Sequence, residues 1–105
     1  MNEFNIVGKV EGGLEVKQSD NGYNYAQMVL SVKRPFKNKE GGQDYDLIQF
    51  TMFGNLIEDA KGTVANGIPL LVKGHINSSN YQKDGKNVYS SSIIADRITI
   101  VDQLY

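Results

Sequence analysis

The chain has 105 residues, a formal net charge of −1, and neither cysteine nor tryptophan. That length supports one hydrophobic core without staples, so residues 1–105 are expected to form a single domain. Without cysteine there is no disulfide framework, thiolate metal site or cysteine nucleophile. The opening "MNEFNIVGKV" lacks a basic then apolar leader, and no apolar run approaches the roughly 20 residues of a membrane span. A soluble, cytoplasmic protein without a membrane partner is the expectation.

In chain order, "FNIVGKVEGGLEVKQ" reads as a strand interrupted at Gly12-Gly13. A glycine pair inside a strand pattern marks a bulge or sharp bend. Ser19 to Gly22, "SDNG", is a tight-turn signal. In "YAQMVLSVK", Ala26, Met28, Leu30 and Val32 alternate with polar neighbours, as in a half-buried strand. "RPFKNKEGGQD" then links it to "YDLIQFTMF" as a long hairpin. In that third strand Ile48, Phe50 and Met52 share the core face. The opposite face carries Tyr45, Leu47, Gln49, Thr51 and Phe53, a wet surface with large apolar groups.

From Asn55 the period changes. Leu56, Ile57, Ala60 and Val64 sit at helical spacing, with Asn55 as expected N-cap and Gly67 as expected stop. Glu58 and Asp59 suit the first turn, and Gly62 shortens the helix. "IPLLVKGHI" returns to strand, with Leu70, Val72 and Ile76 expected inward. "NSSNYQKDGKN" turns at Asp84-Gly85, and "VYSSSIIADRITIV" completes a fifth strand. Five strands with one short α-helix between the third and fourth predict an all-β, five-stranded OB-fold barrel of Greek-key type. The first strand, "EFNIVGKV", is expected to leave an unpaired edge that invites a second copy.

Net charge near zero argues against a nucleic-acid partner, yet the charges are segregated along the chain. Lys33, Arg34, Lys37 and Lys39 gather in one run. Acids collect at Glu11 and Glu15, Glu58 and Asp59, and Asp96 and Asp102. Phe36 lies inside the basic run, and Phe53 and Tyr81 fall at outward positions near lysines. A flat ring that stacks on a base, beside a cation that meets a phosphate, suits single-stranded nucleic acid. The expected contacts are stacking by Phe36, Phe53 and Tyr81. Phosphates are expected at Lys33, Arg34, Lys37, Lys39, Lys73, Lys83 and Lys86.

The structural alternatives are Phe53 plugging the barrel end, Phe36 folded on its own hairpin, and Tyr81 packed against Tyr89. Tyr23 and Tyr25 suit strand-edge packing, and Lys17 and Lys61 solvated surface. His75 has no partner for catalysis, and Asp44 and Asp46 lack the ligands of a metal site. No phosphate-binding glycine loop or nucleophile elbow occurs. A binding module without catalytic residues, metal or cofactor is therefore expected, its rival class being a protein-binding OB-fold assembly subunit.

The segments "MNEFNIVGKV", "AQMVLSVKRPF", "LIQFTMFGNLIEDA" and "NGIPLLVKGHINSSNYQKDGKNVY" cover nearly the whole chain. In them it resembles the bacterial single-stranded-DNA-binding protein family. The resemblance implies an OB-fold that binds single-stranded DNA without sequence preference in replication, recombination or repair. It also implies a homotetramer, with a homodimer as the primosomal variant. The family's stacking positions map to Phe36, Phe53 and Tyr81, and a further one to Leu47, which cannot stack as a ring does. Family members usually continue into a flexible linker with an acidic tip that recruits replication and repair enzymes. This chain stops at "VDQLY", which reads as a trimmed form or as a tailless phage, plasmid or primosomal relative.

Overall fold

The computed structural model describes residues 1–101; Asp102, counted above among the acids, lies outside them. The elements are β1 (Phe4–Gln18), β2 (Asn24–Lys37), β3 (Gln43–Phe53), α1 (Asn55–Lys61), β4 (Pro69–Lys83) and β5 (Lys86–Ile100). They close into a barrel in the order β1-β2-β3-β5-β4. This is the OB-fold expected from the alternation and the single helical segment.

The bend in β1 lets one strand serve two partners. Phe4 to Lys9 pair with β4, whereas Lys9 to Gln18 pair with β2, with a register shift between Glu11 and Glu15. Gly12 sits in that shift at φ 88, a left-handed conformation that a side chain would strain. The expected free edge is therefore only half free. One edge of residues 4–7 is hydrogen-bonded to β4, and the other has no strand partner among the described residues.

Alternating residues fill the barrel. Val10, Ala26, Met28, Leu30, Phe50, Met52, Leu70 and Val72 are all buried, and the Phe4 and Phe50 rings meet with centroids 5.7 Å apart. Ile57 and Ala60 of α1 close the core from below β3. Three sequence expectations need correction. Ile76 keeps the inward parity of Leu70 and Val72 but is 49% exposed, because by then the β4–β5 ribbon has run past the barrel's end. The helix starts at Asn55 itself, with Gly54 as N-cap and no side-chain cap bond. It ends at Gly62 rather than Gly67; Val64 packs against the core from beyond the helix. Gly67 instead donates its N–H to the Val10 carbonyl, tying the loop to β1.

Candidate nucleic-acid interface

β3 and β5 run parallel and meet at Thr51 and Ile94. Tracing both strands back from that pair leads to Gln43 on β3 and Lys86 on β5, each at the foot of a hairpin. The β2–β3 and β4–β5 hairpins therefore leave the barrel from the same end. The β1–β2 turn and α1 lie at the other.

Each hairpin carries the same kit. On β2–β3, Phe36 is 78% exposed and is followed by Lys37 and Lys39. Pro35 sits within a register shift between Lys33 and Lys37, where a missing N–H does no harm to the ladder. The tip is organised by Asn38, whose Oδ1 accepts the N–H of Glu40 at 3.0 Å and of Gly42 at 2.8 Å. On β4–β5, Tyr81 is 53% exposed, and Lys83 stands across from Lys86. The turn between them uses Asp84 at φ 53 and Gly85 at φ 77, the two successive left-handed residues of a tight hairpin turn. None of Lys37, Lys39, Lys83 and Lys86 is engaged in an ion pair among the described residues. Tyr81 registers with Val88 and Tyr89 with Asn80. The two tyrosines thus project from opposite faces of the ribbon rather than packing on each other.

Between the hairpins and the far end runs the outer face of β3, where Tyr45, Leu47 and Phe53 are all exposed. From Tyr45 to Phe53 that face extends about 27 Å at roughly 3.4 Å per residue. Phe53 is 53% exposed, so it is not a core plug. Tyr25 of β2 stands directly across from it.

Arg34 and Lys73, both expected phosphate contacts, are otherwise engaged. Arg34 Nε donates to Asp46 Oδ1 at 3.0 Å and Nη2 reaches the same oxygen at 2.9 Å, with Asp44 at 4.0 Å from Nη1. The hydrogen bond and charge of Asp46 hold the guanidinium pKa above its ordinary value, so Arg34 stays charged but committed. Lys73 is outward on β4, opposite Asn5 of β1 and Arg97 of β5, and pairs with Glu3 at 2.8 Å. It faces away from the β2–β3 sheet. His75 Nδ1 lies 2.8 Å from Asp96 at the root of the β4–β5 ribbon. Among the described residues no group of three or more His, Asp or Glu could hold a metal ion.

The single-strand binding protein family model matches residues 1–101. The chain belongs to that family. Over 103 residues it is 28% identical to single-stranded DNA-binding protein 2 of Staphylococcus aureus, covering 97% of this chain and 73% of that one. It is 31% identical to single-stranded DNA-binding protein 3 of Listeria innocua, where it spans 97% of this chain but 64% of that one. Among solved structures it is similar to a small single-stranded DNA-binding protein from Streptomyces coelicolor. There the TM-score is 0.67 and the identity 21%, over 94% of this chain and 93% of that one. It is also similar to the Plasmodium falciparum protein solved with single-stranded DNA. That match has a TM-score of 0.72 and 14% identity, over 97% and 96%. These two likenesses establish the barrel. In the described residues, no helix is long and apolar enough to cross a membrane.

Proposed function

We propose that this chain is one non-enzymatic domain that binds single-stranded DNA with little regard to sequence. The observation that carries this reading is the duplicated kit. Two hairpins leaving one end of the barrel each present an exposed aromatic beside two lysines without ion-pair partners among the described residues. Phe36 and Tyr81 stack bases there, and Phe53 receives another farther along β3. Lys37, Lys39, Lys83 and Lys86 meet phosphates, with Lys33 beside them. Stacking accepts any base, because every base has a π-face. In the cytoplasm such a protein protects strands exposed in replication, recombination or repair, in company with the enzymes of those processes.

Titration with oligo(dT) tests this directly, read by tyrosine fluorescence since tryptophan is absent. Oligo(dT) should bind tighter than duplex of equal length, and log K should fall with log[salt] by roughly 0.7 per phosphate contact. Binding no tighter than duplex at low salt overturns the reading and leaves the protein-binding subunit.

Self-association is part of the same proposal. The half-free edge at residues 4–7 supports antiparallel pairing with a copy about a two-fold axis, giving a dimer, and two dimers a tetramer. A monomer alone by sedimentation at micromolar concentration refutes it.

A further inference from the structure

At the end of the barrel away from the hairpins, the β1–β2 turn and α1 border a half-open cavity of about 470 Å³. Its walls are mostly apolar: Val16, Tyr23, Tyr25, Phe53 and Ile57, with Glu58 and Lys61 at the rim. Phe53 is thus both the last ring on the β3 face and a wall of this cavity. The turn is firmly held, since Ser19 donates its N–H to the Tyr23 carbonyl and its Oγ accepts the Tyr23 N–H at 3.1 Å. Yet the Tyr23 side chain is 72% exposed. Tyr23, Tyr25 and Phe53 make no ring contact with one another, and Tyr23 and Phe53 are both more than half exposed.

Resting on the single-stranded DNA reading, we propose that this cavity takes one unstacked base of a strand that has passed Phe53. Three features select this occupant. The cavity is continuous with the β3 face through Phe53. Its size falls within the range of small-ligand pockets, roughly 300–1,000 Å³. Glu58 and Lys61 at its rim are paired 3.3 Å apart, so the mouth offers no unpaired charge to draw in a phosphate or an acidic peptide, whereas a neutral base needs none. The phosphates stay outside in solvent, since the nearest cations, Lys17 and Lys61, are paired with Glu15 and Glu58.

The test is an oligo(dT) in which a single abasic position is walked along the strand, titrated against the unaltered protein, Tyr23→Ala and Tyr23→Phe. Tyr23→Ala should weaken binding of the intact oligonucleotide by about 5- to 150-fold, the value of one stacked base. Tyr23→Phe should keep the affinity, and neither should change the salt slope. An abasic position near one end should weaken the unaltered protein and have no further effect on Tyr23→Ala. Because Tyr23 is exposed, equal thermal midpoints for the variants are expected. If Tyr23→Ala binds every oligonucleotide as the unaltered protein does, while Phe53→Ala is weakened, no base enters the cavity and the parent reading stands. If the unaltered protein binds no oligo(dT), the parent reading itself fails.

Discussion

The Arg34 guanidinium grips one carboxylate oxygen of Asp46 through two nitrogens, Nε at 3.0 Å and Nη2 at 2.9 Å. The pair sits at the root of the basic hairpin, on the Ile48 side of β3, so this cation is already committed to a carboxylate. Asp46→Asn should release Arg34 to a phosphate. Oligo(dT) binding should then tighten at low salt, and the slope of log K against log[salt] should steepen by roughly 0.7. An unchanged slope would show that Arg34 lies off the DNA path.

Phe50 and Phe53 are close in sequence but point to opposite sides of β3. Phe50 is fully buried against Phe4, so Phe50→Ala should cost about 3–5 kcal/mol of stability, measured by denaturant unfolding. Phe53→Ala should leave the unfolding midpoint nearly unchanged and cost about 1–3 kcal/mol of DNA affinity. That loss should be equal at low and high salt, because a ring displaces no counterions.

The barrel shape was legible because alternation and turn chemistry are local signals. Ala26 to Val32, Ile48 to Met52, the Gly12 bend and the Asp84-Gly85 turn all follow from residues within a few positions. The positions of Ile76, Arg34 and Lys73 were not legible, for a shared reason. Parity names the side of a strand, but not where the strand leaves the barrel, nor which acid from another strand stands opposite. Asp46 and Glu3 reach Arg34 and Lys73 only once β2–β3 and β1–β4 have paired. The cavity at Tyr23 likewise needs α1 brought against the first turn.

Lys37 and Lys73 now separate where the sequence treated them alike. With an oligonucleotide short enough for one barrel, Lys37→Ala should flatten the salt slope by roughly 0.7. Lys73→Ala should leave it unchanged, since Lys73 faces away from the β2–β3 sheet and is held by Glu3. Equal flattening by both would mean that the strand wraps onto the β1–β4–β5 face.

Of the glycines, Gly74 leaves the least room for a side chain. A Cβ there would collide with the Ile94 carbonyl oxygen and press on the Phe4 ring, and a backbone oxygen cannot swing aside. Gly74→Ala should therefore lower stability by about 1–3 kcal/mol in denaturant unfolding. A substitution without effect would show that β5 can shift at its bulge, where Lys73 registers with Arg97 but Gly74 with Ala95.

The two allegiances of β1 also set an order of events during synthesis. Residues beyond Gly13 find β2 as soon as the first hairpin is complete, whereas Phe4 must wait for Gly74 to be made. Closing so distant a register is slow, because the intervening chain must be ordered first. Throughout that wait Phe4, Ile6 and Val7 are an apolar strand open on both edges. A second nascent copy can then pair where β4 belongs. Folding and mispairing compete for that one edge, so crowded synthesis should favour aggregates and dilute synthesis closed barrels.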